Sequence, residues 1–321
     1  MRLVGVSMVR NEEDIIEAFV RHNLSVLDGL IVVDHGSADR TPAILDALCA
    51  EKLRLVVMRS DAAGYLQAEI TTSAAREAFS RGGADAVFPL DADEFLRVGS
   101  RDALERSLEA VPPGHFGRVA WPTYVPSLDD APGDIVAKLR ASRRILRKVA
   151  YTSNMSRKIA LTRHFALESS ATITMGNHDV LLGRNQRTSP RMPCVDLPED
   201  IVEICHVPVR SRTQFIVKTA IKRLARVAAN RDYPGGAPIR RAFDAIARGL
   251  PLTTEVMLMS HVTWHPKDEG AAASLAYATD DVPIIADIAL RHTPAAPGDP
   301  LPLVLSAVER LVRRAARSTG G

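Results

Sequence analysis

The sequence predicts an α/β chain: a mostly parallel central sheet with helices on both faces, followed by a helical C-terminal extension. Three observations predict it. Short apolar runs alternate with stretches of helical period through the first hundred residues. The runs are apolar throughout, as strands covered on both faces are. Polar residues gather just after the runs, at the strand ends where open α/β sheets bind ligands.

Leu3–Val9 reads as the first strand. From Glu12 to Leu27 the apolar residues Ile15, Ile16, Phe19, Val20, Leu24 and Leu27 recur at helical spacing. Leu30–Val33 is a buried strand. Thr41-Pro42 opens a helix, with Thr as cap and Pro at the first helical position. Leu53–Met58 is the third strand. Leu66–Arg81 is a helix stopped by Gly82-Gly83, and Ala86–Leu90 is the fourth strand. After Leu96 the rhythm changes. Arg101–Ala110 is helical, Val119–Val125 strand-like and Ser127–Gly133 a loop. Ile145–Val180 mixes short strands with polar turns. Ser211–Ala229 is a helix with Ser211 and Gln214 at capping-box spacing. Tyr233–Pro238 is a break, Thr293–Pro302 a Pro/Ala/Gly linker, and Leu303–Arg317 a basic amphipathic helix.

At 46% hydrophobic and 25% charged residues, the composition is that of a water-soluble globular chain. No apolar run reaches the roughly 20 residues of a membrane span. The N-terminus lacks the pattern of a secretory signal, and Cys49, Cys194 and Cys205 are an odd set without CxxC. A cytoplasmic chain with free thiols is expected. The net charge of +3 does not call for nucleic acid. Two basic runs without acids, Lys138–Arg163 and Arg210–Arg231, suit either a solvated surface or an anionic ligand.

The candidate site starts from "FPLDADEFL", residues 88–96, where Asp91, Asp93 and Glu94 crowd the end of the fourth strand. Like charges that close raise each other's pKa and repel, so positive charge is expected among them. Mg²⁺ or Mn²⁺ binds through one or two carboxylates plus substrate phosphates, which suits a D-x-D at a strand end. Strands one and two end in Arg10-Asn11-Glu12-Glu13 and Asp34-His35-Gly36-Ser37, converging on the same edge. The stretch Gly36–Thr41 reads as a turn and helix cap. Gln67 and Arg76 share the helix before the D-x-D.

"VSMVRNEEDIIEAFVRHNLS", "LIVVDHGSADRT" and "VFPLDADEFL" resemble the three N-terminal motifs of family 2 glycosyltransferases, in particular a bacterial subgroup whose D-x-D continues as D-x-D-E-F. The resemblance is dense over residues 1–100 and thinner through "GNHDV" and "HVPVRSRTQFIVK". It implies a GT-A fold, Rossmann-like, and sugar transfer with inversion from a nucleotide diphosphate donor, UDP-sugar by default, using Mn²⁺ or Mg²⁺. It implies that Asn11 and Glu12 border the nucleotide pocket and that Asp34 contacts base or ribose. Asp91 would lie near ribose and metal, Asp93 would be the main metal ligand, and Glu94 would hold the turn or a sugar hydroxyl. His35 departs from the Asp or Asn of many members, which leaves the nucleotide open. The organisation expected is a nucleotide-sugar-binding half over 1–130, an acceptor-side half of the same domain over 131–232, and a helical extension over 233–321.

Inverting transfer needs a general base, and the departing diphosphate needs positive charge. The resemblance offers Asp179 or His178 as base and His206 as a metal ligand, with Glu199-Asp200 and Asp129-Asp130 as competing acids. Arg210 and Lys218 fall in the family-like "H-x-x-x-R-S-x-x-Q-F-x-x-K" pattern. Arg210 stands at a helix start suited to an anion. Trp121 and Tyr124 suit a sugar face or the core. The expected acceptor is a saccharide or a lipid-linked hydroxyl in bacterial surface polysaccharide or glycoconjugate assembly, and the last basic helix suits peripheral contact with the inner membrane. The rival functions are a sugar nucleotidyltransferase and a non-catalytic nucleotide-sugar-binding module. The first usually has an N-terminal Gly-rich loop, which Val9-Arg10-Asn11-Glu12 lacks.

Overall fold

The computed structural model describes residues 1–61, 66–127, 134–146, 157–185, 187–228, 237–252, 257, 276–278, 282–294 and 299–318. Its strands are β1 (Leu3–Val9), β2 (Gly29–Asp34), β3 (Leu55–Arg59), β4 (Ala86–Pro89), β5 (Glu94–Val98), β6 (Phe116–Ala120) and β7 (Tyr124–Val125). They continue with β8 (Arg143–Leu146), β9 (Arg157–Thr162), β10 (Ala171–Ile173), β11 (Val180–Leu182), β12 (Cys194–Asp196), β13 (Val202–His206) and β14 (Ala276–Tyr277). The helices are α1 (Ile16–Val26), α2 (Thr41–Ala50), α3 (Gln67–Ser80), α4 (Arg101–Glu109), α5 (Ile135–Arg140), α6 (Arg163–Leu167), α7 (Arg212–Ala228), α8 (Ala237–Ala247) and α9 (Pro300–Ser318). The tract 128–133, which holds Asp129-Asp130 and most of the expected loop, lies outside the described residues, as do 147–156 and most of the break at 233–238.

The α/β architecture is present. A nine-stranded sheet runs β3-β2-β1-β4-β9-β6-β13-β5, with β12 beside β6. The first four strands are parallel. Side chains alternate across each strand. Leu3, Leu30, Val32 and Phe88 join one core with Ile16, Phe19, Ile44 and Leu45 from α1 and α2. Val4, Val6, Ile31, Val33 and Val87 join the opposite core with Ala74, Ala75 and Ala78 of α3. Both faces are covered, so these strands read as continuous apolar runs rather than alternating ones.

The sheet then turns antiparallel. β9 lies between β4 and β6, antiparallel to both, and β13 runs antiparallel to β5. Two registers matter for the site: Lys158 faces Val119, and His206 faces Glu94. Val207 N–H donates to Asp93 O at 2.9 Å, fixing the end of β13 beside the D-x-D turn.

Three sequence expectations change in detail. Thr41 is not the cap of α2. Arg40 takes that place, and the Thr41 hydroxyl accepts Glu12 N–H at 2.9 Å. The single strand over Val119–Val125 is two, broken at Trp121-Pro122, because proline has no N–H for a ladder. α1 starts at Ile16 rather than Glu12, since Asn11 sits at φ +54° and a turn precedes the helix. Half of the capping box of α7 forms: Ser211 Oγ accepts Gln214 N–H at 3.1 Å, while Gln214 Oε1 reaches one residue past the cap and accepts Arg210 N–H at 3.2 Å.

Candidate functional site

The D-x-D turn closes on itself. Glu94 N–H donates to Asp91 O at 3.0 Å, and Asp91 N–H donates to Glu94 Oε2 at 2.9 Å. The expected positive charge is present and divides the three acids, Lys158 taking Asp91 and Glu94, and Lys218 with Arg210 taking Asp93. Lys158, on β9, is 1% exposed and spends all three ammonium hydrogens. It reaches Asp91 Oδ2 at 2.9 Å, Glu94 Oε1 at 2.7 Å and Gly176 O at 2.7 Å. Trp121 Nε1 also donates to Glu94 Oε1 at 2.7 Å. Asp91 Oδ1 accepts from Gln67 Nε2 at 2.7 Å and Asn177 Nδ2 at 3.2 Å.

Burial pushes the Glu94 carboxyl up to about 8 against the pull of Lys158, with Asp91 and Asp93 adding to the push. The Lys158 ammonium, with the Trp121 indole N–H and the Asp91 N–H, favours the Glu94 carboxylate against that push. Burial opposes the charge on Lys158, but Asp91 and Glu94 outweigh it and hold the ammonium above its ordinary value.

Asp93 points the other way. Its Oδ2 meets Lys218 Nζ at 2.5 Å and lies 4.0 Å from Arg210 Nη1. Its Oδ1 lies 3.9 Å from His206 Nε2. Burial would raise this carboxyl, yet Lys218, His206 and Arg210 hold it far below the usual carboxylate range. Arg210 is itself anchored: Nε and Nη2 grip Asp14 at 2.7 and 2.9 Å, and Nη2 grips Glu12 Oε2 at 2.6 Å. Burial raises the Glu12 carboxyl against Lys218 and Arg210. Lys222, one turn beyond Lys218 on α7, is pushed down to about 8 by burial, then by Lys218 and Arg226.

Asp93, Glu94 and His206 offer ligand atoms within 4.8 Å of one another. Glu94 is already engaged through both oxygens. Asp93 Oδ1 and His206 Nε2 therefore form the donor pair, one hard oxygen and one imidazole nitrogen. That set fits Mn²⁺ or Mg²⁺ completed by phosphate oxygens and water.

The other expected residues fall around this centre. Asn11 ties strand end to loop: its N–H donates to Ser37 Oγ at 2.9 Å and its Oδ1 accepts Ala38 N–H at 2.8 Å. Asp34 Oδ1 accepts Ser37 N–H at 3.1 Å, and Oδ2 lies 3.5 Å from Arg59. The strand-two motif thus builds the loop as much as it offers contacts. Arg76 points away from the site and clamps the carbonyls of Glu168, Ser169 and Ala171. Glu199 pairs with Arg157 at 2.9 Å. Asp179 pairs with Arg191 and accepts Val180 N–H at 2.8 Å, so its carboxylate serves the β10–β11 hairpin. His178 lies nearer the centre. Its Nδ1 is 2.8 Å from Arg157 O, and its ring meets Trp121 edge-on at 5.0 Å. Trp121 in turn stacks on His206 at 4.3 Å, while Tyr124 is buried beneath Arg97.

Lys158, Gln67 and Asn177 join the site without having been singled out for it, apart from Gln67's place on the helix before the D-x-D. The signal for Lys158 was partial: a lysine directly before the apolar "IAL" of "RKIALT" has to be paired if the strand is buried. Gly176, at φ +84°, lets the loop approach so that its N–H reaches Gln67 Oε1 at 3.0 Å. The C-terminal helix also reaches the edge of the site. Arg310 Nη1 donates to Gly36 O at 2.7 Å, and Arg10 feels the charge of both Arg310 and Asp34.

No family model and no curated protein matches the chain. Solved structures do. One is Staphylococcus aureus TarS residues 1–349 in complex with UDP-GlcNAc, at 13% identity over 84% of this chain and 77% of that one, with a TM-score of 0.41. Another is the mannosyltransferase PcManGT from Pyrobaculum calidifontis with GDP-Man and Mn²⁺, at 19% identity over 85% and 77%, with a TM-score of 0.36. A third is GalNAc-T7 with UDP, GalNAc and Mn²⁺, at 10% identity over 83% and 59%, with a TM-score of 0.41. These likenesses are distant.

Proposed function

We propose that the chain is a GT-A glycosyltransferase that moves a sugar from a nucleotide diphosphate donor, UDP-sugar by default, to a hydroxyl acceptor with inversion. The supporting observation is the Asp93 group. A buried carboxylate with one oxygen turned to His206 sits among Lys218, Lys222 and Arg210 at the polar edge of the sheet. That is a place for a cation and a diphosphate together. Asp93 and His206 would hold Mn²⁺ or Mg²⁺, which supplies charge neutralisation for the diphosphate when bound.

Lys218 and Lys222 draw the phosphates in, and Arg210 fixes Glu12 and Asp14 so that neither opposes them. Asp91, the most exposed acid of the turn, faces the ribose, while Asn11 and Asp34 shape the nucleoside pocket. His178 is the preferred base. Its Nδ1 bond to Arg157 O sets the tautomer in which Nε2 is basic, and Trp121 links it to His206. Asp179 remains the alternative, provided Arg191 releases it. The base takes the acceptor's proton, the acceptor oxygen bonds the anomeric carbon, and the bond from that carbon to the diphosphate breaks on the opposite face. The acceptor is a saccharide or lipid-linked hydroxyl in bacterial surface polysaccharide or glycoconjugate assembly.

The test is turnover of a UDP-sugar panel with Mn²⁺, read as UDP release. Release dependent on His178 but not Asp179 supports the assignment. Pyrophosphate release from a nucleoside triphosphate and a sugar phosphate would mean nucleotidyl transfer instead. Donor binding without turnover across acceptors would mean a binding module.

A further inference from the structure

We propose that α9 docks the protein on an anionic lipid bilayer through its outer face. Leu301, Leu305, Val308 and Val312 are spaced four, three and four residues apart, so they form one stripe. They are 59, 57, 37 and 61% exposed, which is unusual for a run of large apolar side chains on one helix. Another face of α9 is held to the body. Ala307 and Leu303 pack against Val217 and Ile221 of α7, and Arg310 is tied to Gly36 O. The stripe is therefore presented outward by a seated helix.

Charge selects the occupant. Apart from Lys218 and Lys222 at the donor site, α7 and α9, which pack together, carry seven Arg residues against one acid, Glu309, in a chain whose net charge is only +3. A second copy placed on this stripe would bring the same basic helix pair against it, which repels. An anionic headgroup layer offers the opposite charge and an apolar layer beneath it. No helix among the described residues is long and apolar enough to cross a membrane, so the contact is in the plane of the surface.

The test is flotation of the full chain with phosphatidylcholine vesicles and with vesicles that also contain phosphatidylglycerol. The expected result is capture by the anionic vesicles alone, weakened by salt. The double variant Leu301→Ser, Leu305→Ser, at exposed positions away from the donor site, should lose at least about tenfold in vesicle binding. Its circular dichroism and nucleotide binding should match the wild type. Absence of binding to anionic vesicles would overturn the proposal, as would a double variant that binds undiminished. Concentration-dependent dimerisation abolished by the double variant, without vesicle binding, would assign the stripe to a second copy and overturn it too. Flotation needs no turnover, so it stands or falls separately from the donor reading.

Discussion

Asp91 with Glu94, and Asp93 between them in sequence, live in different surroundings. The outer two close around Lys158, which satisfies both together with Gln67, Asn177 and Trp121. Asp93 instead faces Lys218, Arg210 and His206, and it keeps one oxygen for the space beside the imidazole. Crowding three acids at a strand end thus yields a neutralised frame and one acid turned to Lys218, Arg210 and His206, the proposed donor cleft. The frame sets the turn, and the turn aims Asp93. The comparison teaches that a D-x-D-E stretch divides its work by which cation each acid finds, not by acidity alone.

Removing the cation of the frame should have the largest effect. Lys158→Met leaves Glu94 buried without its ion pair and should cost about 3–5 kcal/mol of stability, read by urea unfolding. The pH dependence carried by Glu94 should also become steeper. Without Lys158 the Glu94 carboxyl rises far above its ordinary value of 4.5 in the fold. The variant is then at its best below that ordinary value and loses stability as pH rises toward the folded one. A stability no more pH-dependent than the wild type's across this range would erase the distinction between frame and cleft.

Trp121 touches both groups, so it sharpens the comparison at smaller cost. Trp121→Phe removes one hydrogen bond to the Glu94 carboxylate and keeps most of the ring. It should cost about 1.5 kcal/mol in urea unfolding. Because the indole also stacks on His206, metal-dependent nucleotide affinity should fall several-fold as well. A stability loss with unchanged affinity would place Trp121 in the frame alone.

The smallest expected effect belongs to the cleft and is read through pH. Lys222 is pushed down to about 8, so it is charged below that value and neutral above it. Nucleotide diphosphate affinity should therefore decline several-fold as pH rises through about 8, and Lys222→Gln should remove that part of the decline. Stability moves the other way. The unfolded lysine keeps its proton up to its ordinary 10.5, so this group makes the fold more stable as pH rises from about 8 to 10.5.

The parallel half of the fold was legible because its strands are short, apolar throughout and separated by strongly periodic helices. The D-x-D was legible for the same reason: an acid cluster after "AVFPL" has to stand at a strand end. The second half was less so. β6 and β7 looked continuous until the proline divided them, and β10 to β12, of three residues each, are too short to show a period. The partners of the acids were harder still. Lys158 reaches Asp91 across 67 positions, and Arg210 reaches Glu12 across 198, so no local pattern pairs them. His206 came into view only through a family-like motif, and its physical placement depends on the register of β13 against β5. The commitment of Asp179 to Arg191 rests on a contact between two loop-end side chains that spacing does not reveal.

The most direct test of the division is calorimetric titration with UDP, in Mn²⁺ and in EDTA, of the wild type and Asp93→Asn. The account predicts binding in Mn²⁺ that EDTA removes. In Asp93→Asn the affinity, measured below the variant's own melting temperature, should fall by more than the roughly 100-fold that outer-shell changes reach, and the lost ion pair with Lys218 lowers that melting temperature as well. Undiminished, metal-dependent UDP binding by Asp93→Asn would contradict it, because the acid aimed at the cleft would then not be the one that holds the cation.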